Sequence, residues 1–255
     1  MSVTASDIMS ILEQIAPREL SESYDNVGLL AGHPAQTVER VLVALDLTES
    51  VVREAEKAGA QMIVTHHPIF FRGRKNIRED DAEGAAVCSL IRAHLALAAA
   101  HTNFDNAYPG VNDALSEALG LENVETAPHG MRAGTLGEAL TVAEFVDYVE
   151  KKLNTRARVY AAQDKRIERV AVLGGAGGDF FAEALSLGAD AYVTGEVRHH
   201  DALAACAQGL CLIEAGHCET ERVCVKLLAA CLQNRCDELQ YNVTVIESRE
   251  MPFMR

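Results

Sequence analysis

The hydrophobic residues of the N-terminal segment recur at the spacing of one helix face. The apolar positions of this face are Ile8, Ile11, Leu12 and Ile15. Thr4 or Ser6 stands where an N-cap is expected, and Pro17 follows where a helix must end. The pattern therefore predicts a capped amphipathic helix at this end of the chain.

Further along, short apolar runs alternate with amphipathic segments. We predict strands over residues 40–47, 61–65, 95–100 and 210–214, and helices over 48–58, 83–94 and 141–153. Gly59 ends the first of these helices, and Thr141 with Glu144 forms a capping box at the start of the last. Alternation of this kind is typical of a mainly parallel sheet with helices on its faces, so the fold class is α/β.

The two halves of the chain carry the same pattern. A shift of 129 positions places residues 40–65 on 169–194 without a gap, and nine of the 26 positions are identical. Chance would give about two identities in a chain so rich in Ala and Val, so we favour an internal duplication over convergent composition. We expect two similar α/β halves, residues 1–128 and 129–255. We also expect the C-terminal tail to pack back on the first half, and a ligand site to lie between the halves.

The acidic composition limits the partners that the chain can have. With 23 Lys and Arg against 37 Asp and Glu among 255 residues, the formal net charge is −14. Such a chain repels phosphate backbones, and its lack of Trp argues against a base-stacking surface, so nucleic-acid binding is disfavoured. Because we find neither a bilayer-spanning apolar run nor a secretory signal, we expect a cytoplasmic protein with no membrane contact.

The seven cysteines include no C-x-x-C pair, and six of them lie in the last fifty residues. A zinc knuckle needs closer pairs than these. We therefore predict reduced, partly buried thiols, as in cytosolic proteins.

Two adjacent histidines, His66 and His67, follow the predicted strand at 61–65. Neighbouring strand residues point to opposite faces, so both rings can serve one site only where the strand breaks, and Pro68 marks that break. The carboxyl ends of parallel strands are where α/β proteins place ligands. The alternative is a pair of surface histidines in a loop.

Two further histidines follow strands and precede an acidic residue by four positions. The pairs are His101 with Asp105 and His217 with Glu221. A helix after Gly216 would place the second pair on one face. Each pair alone is typical of a helix surface, but their equivalent places in a repeated fold favour a shared site.

Three of these imidazoles and the two carboxylates suit two divalent transition ions held about 3.5–4 Å apart. The set consists of His66, His67, His217, Asp105 and Glu221. Carboxylates can bridge two cations, whereas imidazoles are typically terminal ligands. Zn, Fe, Mn or Ni would fit this set, and a thiolate-rich structural zinc site would not.

A glycine-rich loop, Gly174–Gly178, lies between a predicted strand and a helix. It lacks the full dinucleotide fingerprint, so NAD binding is only weakly supported. Its amides could hold a phosphate at a helix N-terminus, or it could be a tight turn between packed backbones. The sequence leaves both interpretations open.

Six motifs occur in the order seen in one protein family. They are Tyr24-Asp-Asn-Val-Gly-Leu29 followed by Gly32, Thr65-His-His-Pro68, His101-Thr-Asn-Phe-Asp105, Gly174-Gly-Ala-Gly-Gly178, Thr194-Gly-Glu196 and Gly216-His-Cys-Glu-Thr-Glu221. Over nearly its whole length the chain resembles the Nif-three-like dinuclear metal-centre proteins, many of which are labelled GTP cyclohydrolase I type 2 homologs. It is similar to the short bacterial form, which has no inserted domain.

The resemblance implies a two-domain α/β protein that assembles into toroidal hexamers, with two divalent metal ions in a cleft between the domains. The ligands carried over by motif are His66, His67, Asp105, His217 and Glu221. In that arrangement Glu221 bridges both ions. His67 and Asp105 hold one ion, and the other ion is held by His66 and His217.

Four other positions are affected by the resemblance. His101 is not usually a ligand, and we interpret it as a residue that orients a ligand or moves a proton. The family's usual Asp after Thr-Gly is Glu196 here, which puts a direct role for that position in doubt. His200 matches a family histidine and is either a proton carrier or a surface residue. The Asp25-Asn26 turn is distinctive, but the sequence assigns it no chemical role.

Two functions follow as expectations. The first is a metal-dependent hydrolase acting on a nucleotide or related small molecule, GTP cyclohydrolase-like by resemblance, with His101 and His200 as candidate catalytic residues. The second is a metal-binding hexameric adaptor linked to transcription or DNA repair, without turnover. A redox reaction at bound iron, with Cys218 as a thiol, is less well supported because one cysteine is not a ligand set.

Overall fold

The computed structural model describes residues 2–250. Its helices are α1 (Ala5–Ile15), α2 (Glu49–Ala58), α3 (Ala82–Arg92), α4 (Thr102–Asp105), α5 (Val111–Ala118), α6 (Val142–Leu153), α7 (Phe181–Ser186), α8 (His199–Ala207), α9 (His217–Glu221) and α10 (Val223–Glu238). Its strands are β1 (Gly28–Ala31), β2 (Arg40–Ala44), β3 (Met62–Thr65), β4 (Ala96–Ala99), β5 (Glu122–Thr126), β6 (Arg132–Thr141), β7 (Arg158–Tyr160), β8 (Arg166–Leu173), β9 (Ala191–Thr194), β10 (Cys211–Glu214) and β11 (Thr244–Glu247). Short 3-10 helices lie at Arg18–Leu20, Pro128–Gly130 and Gly178–Phe180.

The helix ends predicted at Thr4, Gly59 and Thr141 are confirmed, and Thr48 adds a cap that was not predicted. The capping boxes are Thr4 with Asp7 at α1 and Thr141 with Glu144 at α6. At α2 the Thr48 side chain accepts a hydrogen bond from the first turn, and Gly59 ends the helix in the left-handed conformation. Because each signal acts within a few residues, local sequence is enough to place these helix ends.

The described residues form two compact units. The first runs to Gly110 and resumes at Val225, and the second is Val111–Cys224. This division differs from the expected boundary between residues 128 and 129. Helix α5 belongs to the second unit because Leu115 joins a buried cluster built on β8 and β9. The C-terminal segment belongs to the first unit because β11 pairs in parallel with β2.

The first unit contains a five-stranded sheet in the order β1-β4-β3-β2-β11. All its pairs are parallel except β1 with β4. Helices α2 and α3 cover one face, where Val52 and Leu90 pack against Leu42, Ile63 and Leu97. The mainly parallel sheet expected from the sequence is therefore present in this unit, with an antiparallel strand added at one edge.

The second unit contains a six-stranded sheet in the order β5-β6-β8-β9-β10-β7. Strands β8, β9 and β10 are parallel, and the flanking strands pair antiparallel to them or to each other. Alternate strand residues enter different clusters: Val172 packs with Phe145 of α6, and Ala171 packs with Ala202 of α8. The sheet therefore has helices on both faces, as the α/β class requires.

The strand register repeats between the units. Val41 of β2 pairs with Met62 of β3, and Val170 of β8 pairs with Ala191 of β9. Both partners are shifted by 129 positions, which is the shift found in the sequence. This correspondence supports an internal duplication, which stays an inference from sequence and register.

The register also corrects one expected equivalence. His101 was expected to correspond to His217. The pairing of Met62 with Ala96 and of Ala191 with Cys211 gives a shift of 115 for the next strand. His101 is therefore level with Gly216, and each is the N-cap of the short helix that follows its strand.

Candidate metal centre

In the first unit, the two histidines after β3 lie beside each other. The amide groups of His66 and His67 donate to Ala44 O and Leu45 O, which prolongs the parallel ladder past the end of β3. The Thr65 hydroxyl donates to His67 O at 2.7 Å, two residues along, so the chain turns here. The ring centroids of His66 and His67 lie 4.9 Å apart, with His66 fully buried and His67 partly exposed.

His101, which follows β4, brings a third imidazole to the same place. Its ring centroid lies 5.2 Å from that of His66 and 5.5 Å from that of His67. Each of the three residues offers a ring nitrogen within 4.8 Å of the others, so the group could hold a metal ion. Asp105 ends α4 one helical turn later, and its Oδ1 lies 3.6 Å from His66 Nε2.

The Nδ1 atom of every one of these imidazoles faces an oxygen acceptor. His66 Nδ1 lies 2.9 Å from Ala100 O, His67 Nδ1 2.8 Å from Asp46 Oδ1, and His101 Nδ1 2.8 Å from Asp25 Oδ1. A carbonyl or an ionised carboxylate can only accept, so the proton of each neutral ring belongs on Nδ1. Nε2 is then the basic nitrogen, which is how metal-binding histidines are oriented in proteins.

The second unit repeats this arrangement at α9. His217 Nδ1 lies 2.8 Å from Glu196 Oε1, and His217 Nε2 lies 3.1 Å from Glu221 Oε2. The helix after Gly216 therefore puts His217 and Glu221 on one face, as their spacing predicts. The side chain of Glu221 is only 5% exposed, so its carboxylate is shielded from solvent.

The glycine-rich loop packs against Glu221. A Cβ atom at Gly175 would lie 2.2 Å from Glu221 Oε1, and Gly175 has a φ of +67°. The loop's N–H groups are used within the unit: Gly174 donates to Asn112 Oδ1, Gly175 to Thr220 Oγ1 and Gly177 to Thr194 Oγ1. The structure thus favours the tight packing turn over the phosphate loop, because these donors already have protein acceptors.

Glu196 and His200 differ in their surroundings. Glu196, whose role the sequence left in doubt, orients His217 through its longer side chain. His200 is exposed in the first turn of α8, with its ring centroid 5.8 Å from that of His199. A catalytic role for His200 stays a prediction.

The sequence reasoning missed two carboxylates that contact the histidines, Asp46 and Asp25. Asp46 follows β2 at the carboxyl edge of the sheet, which is a signal that could have pointed to it. Asp25 is separated from His101 by 76 positions, and its neighbourhood in the sequence gives no sign of that contact.

The carboxyl group of Asp25 is held in its ionised form. Burial opposes the charge, but hydrogen bonds from His101 and Thr102 outweigh that cost. The pKa of Asp25 is therefore well below its ordinary value. This ionised carboxylate is an acceptor only, which fixes the direction of its hydrogen bond with His101.

All seven cysteines are free thiols, and Cys211, Cys224 and Cys236 are buried. The prediction of reduced, partly buried thiols agrees with this arrangement. Among residues 2–250, none of the helices combines the length and apolar character that a membrane span needs.

Fold and side chains together define the class of protein. It is an α/β protein that carries imidazole and carboxylate groups able to hold a metal ion, next to the carboxyl ends of parallel strands. The sequence model of the Duf34/NIF3 (NGG1p interacting factor 3) family matches residues 3–252, and the chain belongs to this family. The resemblance seen in the motifs is thereby confirmed.

Related sequences and structures agree with this assignment. A Clostridium perfringens protein named GTP cyclohydrolase 1 type 2 homolog is 37% identical over 84% of this chain and 86% of its own length. A Streptomyces coelicolor protein of the same name is 36% identical over 96% of this chain and 90% of its own length. The crystal structure of a Bacillus cereus protein related to NIF3 superposes with a TM-score of 0.94 at 28% identity, covering 100% of this chain and 99% of the other.

Proposed function

We propose that this protein is a metal-dependent hydrolase that acts on a nucleotide or a related small molecule. The observation that carries the proposal is the shared orientation of the candidate ligands. In His66, His67 and His217, Nδ1 faces an oxygen acceptor at 2.8–2.9 Å, an orientation that would make Nε2 the metal-binding nitrogen. Relatives that bear the name GTP cyclohydrolase 1 type 2 homolog support a nucleotide as substrate.

The donor set fits two divalent cations such as Zn, Fe, Mn or Ni. The proposed ligands are His66, His67, Asp105, His217 and Glu221. Nitrogen and oxygen donors without thiolates suit borderline divalent ions. When bound, such cations polarise the attacked bond and make water more acidic.

The distribution of ligands between the ions has two versions. The family resemblance pairs Asp105 with His67, with Glu221 bridging. The 3.6 Å separation of His66 Nε2 and Asp105 Oδ1 supports a pairing of Asp105 with His66 instead. Spectra of bound Co²⁺ distinguish the two versions. Each of the variants His66→Ala and His67→Ala is combined with Asp105→Ala, and the pair that holds one ion is the pair whose double variant perturbs the signal of a single ion.

In the proposed reaction, His101 moves the proton. Asp25 holds its Nδ1–H, so Nε2 is free to accept a proton from the attacking water and return it to the leaving group. With a purine nucleotide, water would add to C8 of the base, a C8–N bond of the ring would break, and the departing nitrogen would take the proton, as in a GTP cyclohydrolase-like reaction. His200 is the second candidate proton carrier, and His200→Ala tests it separately.

The proposal is tested by turnover after metal loading. The protein is stripped with a chelator and reloaded with Zn, Mn or Fe. It is then assayed with GTP and with a panel of nucleotides and phosphoesters. Metal-dependent turnover that is lost in His67→Ala supports a hydrolase. His33→Ala is the matched control, because His33 is an exposed histidine of the same unit. Absence of turnover with every metal would overturn the proposal.

A second candidate is a metal-binding hexameric adaptor without turnover, linked to transcription or DNA repair. The family description, NGG1p interacting factor 3, names an interaction and thereby favours it. A net charge of −14 disfavours direct contact with DNA, so a protein partner fits better. Sedimentation analysis that finds hexamers with bound metal, together with no turnover on the panel, would support this candidate.

A further inference from the structure

The turn at Tyr24-Asp25-Asn26 connects two of the loops that carry histidines. Asp25 Oδ1 lies 2.8 Å from His101 Nδ1, and Asp25 Oδ2 accepts hydrogen bonds from both the amide and the hydroxyl of Thr102. The Asn26 side-chain amide donates to Phe70 O at 2.7 Å, in the loop that follows His67. The turn therefore binds both loops through polar side-chain contacts.

The side chain of Asp25 has no exposed surface, so its carboxylate has lost its hydration, which costs free energy. A buried carboxylate is stable only if hydrogen bonds replace the water it has lost. Here the donors come from the Thr102 backbone, the Thr102 hydroxyl, the Asn26 backbone and the imidazole of His101. The two hydrogen bonds from Thr102 are enough to anchor the turn. The bond to His101 is additional, and its effect is on the orientation and protonation of the imidazole ring.

An ionised acceptor at Nδ1 determines the tautomer of His101. The ring must keep its proton on Nδ1 to satisfy Asp25, and Nε2 then carries the lone pair. Without the carboxylate, a neutral imidazole favours the opposite tautomer in water, with the proton on Nε2. That ring could not accept a proton at Nε2.

We propose that Asp25 is a positioning residue, which fixes His101 in the Nδ1–H tautomer so that Nε2 can take up and return a proton. The proposal rests on the hydrolase function proposed above. It gives the Tyr24–Asn26 turn a chemical role. It also gives the two carboxylates different roles. Asp46 orients a proposed metal ligand, His67, whereas Asp25 orients a proton carrier, His101.

The tautomer is measured without any turnover. Two-bond nitrogen–proton NMR spectra of the metal-free protein at pH 8.5 identify which ring nitrogen of His101 carries the proton. We expect the Nδ1–H form in the wild type and in Thr102→Val, which keeps the carboxylate. We expect the Nε2–H form in Asp25→Asn and Asp25→Ala. An Nε2–H form in the wild type, or no change in either Asp25 variant, would overturn the proposal.

Kinetics and metal content separate positioning from ligand binding. If the wild type turns over, Asp25→Asn should lower kcat by about 10²–10⁴-fold, with KM and metal content within twofold of the wild type. Asp46→Asn should instead weaken metal binding by about 10–100-fold. Asp25→Glu, which keeps a carboxylate, should recover part of the lost kcat.

Failure of the proposed hydrolase function and failure of the positioning role give different results. Absence of turnover in the wild type overturns the hydrolase function, and with it the catalytic part of this proposal, whatever the NMR result. Turnover in the wild type with metal loss in Asp25→Asn equal to that in Asp46→Asn would show that His101 binds metal, and would overturn the positioning role alone.

Discussion

Glu196 Oε1 lies 2.8 Å from Nδ1 of His217, and this contact orients the only imidazole that α9 contributes. The side chain of Glu196 is 60% exposed, so the bond is maintained by its geometry and not by burial. A carboxylate behind a metal-binding histidine fixes the ring and raises its basicity.

Glu196→Gln should therefore weaken metal binding without unfolding the protein. An amide is a poorer acceptor than a carboxylate and can present its NH₂ group to the ring, so we expect a loss of affinity of about 10–100-fold. Competition of each variant with a chromophoric chelator measures this change. Glu168→Gln, an exposed change on β8, is the matched control and should bind as the wild type does.

Gly175→Ala should damage the second unit and its metal affinity together. Its Cβ would lie 2.2 Å from Glu221 Oε1 and would stand on a left-handed backbone, so we expect a loss of about 1–3 kcal/mol in the free energy of unfolding. Urea denaturation measures the stability. Gly188→Ala is the matched control, because Gly188 has a φ of +70° but open space around it. It should cost about 1 kcal/mol and leave metal binding intact. Equal effects of the two changes on metal binding would contradict the role of the loop.

Buried thiols should resist alkylation in the native protein. Burial raises the pKa of the Cys211 and Cys236 thiols to about 11, so at pH 8 they are almost entirely protonated and unreactive. Peptide mass spectrometry after brief iodoacetamide treatment should find both cysteines unmodified, and modified once urea is added. Rapid modification of either residue without urea would show that the thiol is not buried in solution.

How much of the molecule the sequence could predict depends on the range of the signals. Helix α2 was predictable because Thr48 and Gly59 cap it from within its own segment. Strand β11 was not, because the strand that it pairs with, β2, lies about two hundred positions away in the chain. The residues of β11 are exposed or partly exposed, and they form no apolar run that would predict a buried strand.

In the candidate site, too, contacts within a short segment were predictable and contacts between distant segments were not. His217 and Glu221 could be paired from the sequence, because helical spacing brings them to one face. The contact between Asp25 and His101 could not be predicted, since it depends on how the loop before β1 meets the end of β4. The residues were visible in motifs, but their partners required the tertiary structure.

The Glu221 carboxylate is central to the proposed dinuclear centre. If it bridges both ions, Glu221→Ala should lose both, because each ion would lose a ligand. Asp105→Ala should lose only one, because Asp105 belongs to one ion in either version of the ligand assignment. Glu219→Ala on the same helix is a less suitable control than Glu168→Ala, since Glu219 is buried and Glu168 is exposed.

Elemental analysis of the protein after metal loading and removal of free ions tests the dinuclear centre most directly. We expect two ions per chain in the wild type and in Glu168→Ala, one in Asp105→Ala and none in Glu221→Ala. Fewer than two ions per chain in the wild type, or equal losses in Asp105→Ala and Glu221→Ala, would contradict the dinuclear centre.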